Sequence, residues 1–225
     1  MSVELTWFGH SAVLIRGSQH AVLVDPFITD NPATTIAAGD IACTHVALTH
    51  GHEDHLGDAL DIAKANDAPL IGAYEITNYV ASQGYDNVEP GNPGGKIDLG
   101  HGDWIAFTQA FHSSSYQGQY MGMPCGLVIQ VDGKRIYHLG DTGIFGDMAL
   151  LGEIYQPDVA LIPIGDRFTM GPELASRAAD MIGAGVSVPI HYGTWPPIDV
   201  DPTQFQSTQS RVQILQPGEC MTIHK

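Results

Sequence analysis

Apolar and polar positions along the 225-residue chain fall into blocks of two kinds. Runs of strand length, several rich in Val and Ile and bounded by Gly, Pro or Asp, recur as ELTWFG, AVLIR, HAVLVD, HVALT, GLVIQV, RIYHLG, VALIPI and SVPIH. Helical segments stand between them. Residues 55–66 (HLGDALDIAKAN) place Leu56, Ala59, Leu60 and Ala63 on one face. Residues 172–182 (PELASRAADMI) open with Pro172, a good first helical residue, and gather Leu174, Ala178, Met181 and Ile182 on a common side. Strands dominate residues 1–50 and 95–140, each block followed by helix and strand. The pattern predicts two similar β-rich halves in a single α/β domain over residues 1–225, with packed sheets inside and helices outside. No linker, low-complexity tract or charge block interrupts it.

Composition narrows the picture. A hydrophobic content of 44% supports a large core, and no run of 18 apolar residues is present to span a membrane. The opening residues MSVELTWFGHSAVLI have no basic stretch followed by an apolar one and a cleavage site, so the chain reads as lacking an export signal. Cys43, Cys125 and Cys220 are odd in number and scattered, which suits reduced thiols in a cytoplasmic protein. A net charge of -16 with only nine Lys and Arg argues against nucleic acid as a partner, because phosphate backbones are bound by basic clusters. Eleven histidines outnumber the basic residues, so the imidazoles serve something other than positive charge.

Their placement is informative. In THGHEDHLGD, Thr49–Asp58, the strand signal HVALT gives way to a helical pattern, and His50, His52, Asp54 and His55 occupy the turn. In extended backbone His50 and His52 point to one side, while Asp54 and His55 sit where the chain enters the helix. Imidazoles beside a carboxylate suit Zn²⁺, which takes nitrogen and oxygen donors at ~2 Å. Helix capping by Asp54 would leave the three clustered histidines unexplained. Further ligands must come from elsewhere, and three residues stand at apparent strand ends: His112 after WIAFTQAF, Asp141 after IYHLG, and His191 after VSVPI.

The order HxHxDH, then His, Asp and His resembles the metallo-β-lactamase superfamily of αββα hydrolases over essentially the whole chain. That resemblance implies a four-layer αββα sandwich with one metal at His50, His52 and His112. A second metal would lie at Asp54, His55 and His191, with Asp141 bridging. FGHSAVLI, VDPF, FHSSS, HLGDTG, FTMGPELA and IHYGTWP further resemble a branch of metal-dependent hydrolases near L-ascorbate-6-phosphate lactonase. Gly193 stands where that branch usually has Asn, and Arg167 where a small or neutral residue is frequent, so substrate preference is where this chain departs.

Two divalent ions, most simply zinc with manganese or iron as alternatives, would leave a core of about +1 after two carboxylates and a bridging hydroxide. The expected chemistry is attack of that hydroxide on a small anionic ester, a lactone or phosphodiester, with Asp54 orienting the nucleophile or taking its proton. Asp25, before Pro26, is expected to support the ligand turn. His10 is expected at the pocket wall, Arg167 as a grip on substrate charge, and Ser113–Ser115 as a polar loop. A di-iron redox protein on the same fold and a non-catalytic metal-binding module are the alternatives, and a homo-oligomer is compatible with all of them.

Overall fold

Unbroken Val, Ile and Leu runs belong to strands covered on both faces, and in this chain they form the inner layers. A computed structural model describes residues 2–224. The first sheet contains β1 (Val3–Trp7), β2 (Val13–Arg16), β3 (Ala21–Val24), β4 (His45–Ala47), β5 (Leu70–Ala73) and β6 (Val88–Gly91). The second is built from β7 (Lys96–Gly100) and β8 (Asp103–Gln109), then, beyond a small hairpin of β9 (Ser115–Tyr116) and β10 (Gln119–Tyr120), from β11 (Cys125–Val131), β12 (Lys134–His138), β13 (Val159–Pro163), β14 (Val186–Ile190) and β15 (Arg211–Val212). The last strand, β16 (Cys220–Ile223), returns to pair with β1. The orders are β16-β1-β2-β3-β4-β5-β6 and β15-β14-β13-β12-β11-β8-β7.

The two halves repeat one plan. In each, antiparallel strands lead into parallel ones: β1 to β3 then β4 to β6, and β7, β8, β11 and β12 then β13 to β15. Side-chain alternation divides the burial. Val13, Ile15, Val22 and Val24 meet Phe107, Leu127 and Ile129 of the second sheet in the central core. Leu14 and Leu23 point the other way, under α2 (Ala59–Asn66) and α3 (Tyr74–Ser82). Val128, Ala160 and Ile162 lie under α4 (Met148–Tyr155) and α5 (Pro172–Ile182). The result is the expected helix-sheet-sheet-helix sandwich. Among the described residues no helix is long and apolar enough to cross a membrane.

Two helical expectations are corrected. Residues 55–66 are not one helix: a single turn, here numbered α1 (Glu53–Leu56), stops at Gly57 before α2 begins. Gly57 has φ +39°, and a Cβ there would run into the main chain of Pro26 and Phe27. Asp58 then accepts from the N–H groups of Ile28 and Thr29 at 2.9 and 2.8 Å, tying the break to the loop after β3. Leu174 is 44% exposed, because α5 buries Ala175, Ala178, Ala179 and Ile182 instead. Three alanines on that face let the helix lie close against the sheet. Helices α3 and α4 and strands β5, β6, β15 and β16 lie outside the runs named from the sequence.

Candidate metal centre and adjoining cavity

Five of the seven expected ligands sit just past the C-terminal end of a strand. His50 and His52 follow β4, His112 follows β8, Asp141 follows β12 and His191 follows β14. Asp54 and His55 lie in α1, so Asp54 is a residue within the turn rather than its cap, and the cap position is His52. Because the two sheets present these ends on one edge of the sandwich, residues far apart in sequence converge.

The convergence forms two adjoining groups. His50, His52 and His112 offer ring nitrogens within 4.8 Å of one another, and so do His10, Asp54, His55 and His191 with their ligand atoms. Asp141 lies between them: its Oδ2 is 3.5 Å from His112 Nε2, 3.4 Å from His55 Nε2 and 2.9 Å from His191 Nε2. Close as these atoms are, His55 Nε2, His191 Nε2 and Asp141 Oδ1 are buried without a hydrogen-bond partner. Buried polar atoms are normally satisfied. Donor atoms that crowd together without aligning as hydrogen bonds are arranged as ligands around a common point, and the residues therefore fit a metal centre.

Supporting contacts hold His55, His50 and His52. Asp25 is fully buried and accepts from His55 Nδ1 at 2.8 Å, from Thr49 Oγ1 at 2.7 Å and from Thr49 N at 2.8 Å. Thr49 Oγ1, having donated to Asp25, accepts from His50 Nδ1 at 3.0 Å, which leaves the His50 Nε2 lone pair facing inward. Ser114 Oγ accepts from Gly51 N at 3.1 Å, and Ser113 Oγ is 3.3 Å from His52 Nε2, so the polar loop braces the HGH turn. A Cβ on Gly51 would overlap Met121, which explains glycine between the two histidines.

His10 is more deeply engaged than the sequence indicated. It is fully buried, and its Nε2 donates to Asp54 Oδ2 at 3.1 Å, since a carboxylate only accepts. The neutral ring then accepts at Nδ1 from Thr194 Oγ1 at 2.8 Å. Burial, and then His191, push His10 down to about 4, consistent with this neutral form. His10, Asp25 and His191 all adopt positive φ, at 53°, 45° and 57°, a conformation in which Asp and His are enriched among non-glycine residues. Thr194 was missed by sequence reasoning, because nothing in its neighbourhood signals a partner 184 residues away.

Electrostatics divide the site. Burial pushes His50 well below the ordinary imidazole range, and lowers His52 and His112 as well. At His55 burial is outweighed by Asp141, Asp25 and Asp54, which hold it well above that range. Burial also opposes charge on Asp141 and Asp54, but neighbouring histidines prevail and keep both carboxyls below their usual range.

Asp54, with a quarter of its side chain exposed, opens onto a cavity of about 570 Å³. Phe27, Tyr116 and Trp195 form its aromatic walls, and Asp30, Glu53 and Asp58 join Asp54 as its acids. No Lys or Arg is among its lining residues. Arg167 is exposed outside that lining, its guanidinium 5.8 Å from the Phe168 ring. Gly193 is exposed with φ +70°. His138 is a satisfied core residue, donating from Nε2 to Ser11 O at 3.0 Å and accepting at Nδ1 from Gly140 N at 3.1 Å. His20 finds a partner in Asp103 at 2.8 Å, on β8.

Two stacked sheets flanked by helices, with this His/Asp cluster at one edge, define a metallo-β-lactamase-type protein. The chain belongs to the Beta-lactamase superfamily domain family, which matches residues 20–192. It is 45% identical over 228 residues to a UPF0173 metal-dependent hydrolase of Geobacillus thermodenitrificans, spanning 98% of this chain and 100% of that one. It is 44% identical over 226 residues to a UPF0173 metal-dependent hydrolase of Staphylococcus carnosus, spanning 96% and 98%. Among solved structures, Igni18, a metallo hydrolase from the archaeon Ignicoccus hospitalis, superposes with a TM-score of 0.91 at 38% identity over 100% of both chains.

Proposed function

We propose that this protein is a metal-dependent hydrolase with a binuclear centre. His50, His52 and His112 hold one ion, Asp54, His55 and His191 the other, and Asp141 lies between. The observation that carries this reading is the set of buried, unpaired donor atoms on His55, His191 and Asp141, with Asp141 in reach of both groups. Five imidazoles and two carboxylates suit zinc, and manganese or iron accept the same donors. Divalent ions bound there would polarise a carbonyl or phosphoryl oxygen and lower the pKa of water from 15.7 to about 7.

The chain's own contribution centres on Asp54. Its neighbours keep it ionised, His10 fixes Oδ2, and the carboxylate faces the cavity. It is therefore placed to orient an attacking water and to take its proton. Asp25 and Thr49 set the tautomers of His55 and His50, so that both offer Nε2 to the centre. A small ester, lactone or phosphodiester is the substrate class, and the net charge of -16 favours a small molecule over nucleic acid. Three free cysteines support a reducing, cytoplasmic setting.

The test is a panel of phosphodiesters, lactones, thioesters and β-lactams offered to the metal-reconstituted protein. One class should be turned over, with activity lost to chelator and restored by metal. Asp54→Asn should lower turnover ~10²-fold or more. Absence of turnover across the panel, with both ions bound, would overturn the reading.

A further inference from the structure

We infer that the substrate carries a flat aromatic group without negative charge, favoured further by a positive one, seated among Phe27, Tyr116 and Trp195 while its scissile bond faces Asp54. This rests on the hydrolase reading above and sharpens its substrate class.

The walls come first. A volume of about 570 Å³ suits a small molecule. Phe27 and Trp195 lie with ring centroids 5.8 Å apart and 38° between their planes, forming one side. Both also touch the His10 ring, at 5.8 and 5.1 Å, so this wall adjoins the group that holds Asp54. Trp195 stays 37% exposed although it is the largest apolar side chain of the lining. Its position is fixed on both sides: Thr194 is bonded to His10, and Pro196 opens a short 3₁₀ helix. Tyr116 comes from the β9 hairpin and rests on Tyr79 at 5.5 Å. Aromatic faces held in advance by separate elements bind a flat group at low entropic cost.

Charge then chooses among flat groups. Asp30 and Glu53 are exposed on the cavity lining and make no ion pair among the described residues. Asp58 adds a third carboxylate, and no cationic side chain faces them. An anionic substituent would meet carboxylates that no cationic side chain of the lining screens, whereas a cation would be attracted by them and by the ring faces. The sequence-based expectation of an anion gripped by Arg167 is not supported by this lining. Negative charge on the substrate belongs only to the reacting group at the metal centre.

The experiment measures binding and turnover separately on the metal-reconstituted protein. Phenyltrimethylammonium should bind at least tenfold tighter than benzenesulfonate, and at least tenfold tighter than tetramethylammonium, by calorimetry or ligand-observed NMR. Trp195→Ala, or Tyr116→Ala if the first variant does not fold, should remove the aromatic advantage. The pair Asp30→Asn and Glu53→Gln should narrow the gap between cation and sulfonate. Among 4-nitrophenyl phosphodiesters whose retained group is methyl, phenyl, trimethylammoniophenyl or carboxyphenyl, kcat/KM should rise from methyl to the two uncharged or cationic aryl groups and fall for carboxyphenyl, mainly through KM. No measurable binding of the cation, sulfonate binding as tight, or an aromatic advantage that survives both aromatic variants would overturn the inference. Selective cation binding without turnover of any ester would instead contradict the hydrolase reading and leave the pocket assignment standing.

Discussion

Replacing Asp25 by Asn removes one charge and changes almost no volume, which makes it a sharp probe of how the centre is held. The carboxylate accepts three hydrogen bonds: Thr49 N at Oδ1, and Thr49 Oγ1 and His55 Nδ1 at Oδ2. An amide offers one oxygen and one NH₂, so at least one of these donors would face another donor in a fully buried setting. Each such conflict costs about 1–3 kcal/mol. The backbone is not a confounder, because Asn tolerates the φ of 45° that Asp25 adopts. Where the NH₂ faces His55, the imidazole must accept at Nδ1 and carry its proton on Nε2, the atom that faces Asp141. Metal affinity should then fall roughly 10–100-fold, the usual effect of losing an outer partner of a ligand. A loss of about 2 kcal/mol in a chain of this size should lower the melting midpoint by roughly 4–8 °C. The assay pairs a chelator-competition titration with thermal unfolding of the metal-free protein. Metal affinity within twofold of the parent, alongside lowered stability, would show that Asp25 only shapes the turn before Pro26.

Other expected outcomes follow from the same geometry. His10→Ala leaves Asp54 Oδ2 and Thr194 Oγ1 without the ring between them, so the second metal should bind more weakly and kcat should fall about tenfold. His10→Asn, which tolerates the left-handed backbone and keeps an N–H donor, should recover part of both, and equal losses in the two variants would count against the positioning role. Burial holds His10 and His45 down to about 4 and lowers His50 and His138. Between the ordinary histidine value of 6.5 and about 4, His10 and His45 are therefore protonated in the unfolded chain but not in the folded one, and the lowering of His50 and His138 acts in the same direction. The unfolded chain then binds more protons and stability falls as pH drops. His55, held above its ordinary value, takes up its proton first in the folded chain and so opposes the trend as pH falls from 7 towards 6.5, one group against four. The urea midpoint of metal-free protein should be lower at about pH 5 than at about pH 7, and a higher one would contradict this assignment.

The seven candidate positions could be picked out because five of them follow strands that apolar runs announce, and four share one short turn. The architecture was legible for the same reason: two blocks of strand, each followed by helix, became two sheets with the same antiparallel-to-parallel plan. What the sequence concealed is what depends on the third dimension. Thr194 meets His10 across 184 positions, and His20 meets Asp103 across 83. The break at Gly57 was hidden because its cause lies in Pro26 and Phe27, on another segment. Leu174 turned outward because small Ala175, Ala178 and Ala179 let α5 sit closer than a leucine face would allow. The cavity was the least readable feature. Phe27, Tyr116 and Trp195 come from three distant loops and hairpins, and only their meeting beside Asp54 gives them a role.

Binding of two metal ions by seven side chains is what we propose for this centre. It is tested most directly by elemental analysis of protein purified without chelator and reconstituted with zinc, read beside the same analysis of His112→Ala and His191→Ala. The parent should hold close to two equivalents and each variant about one, with the variants losing ions from different groups. No bound metal in the reconstituted parent, or a single equivalent that neither substitution removes, would contradict it.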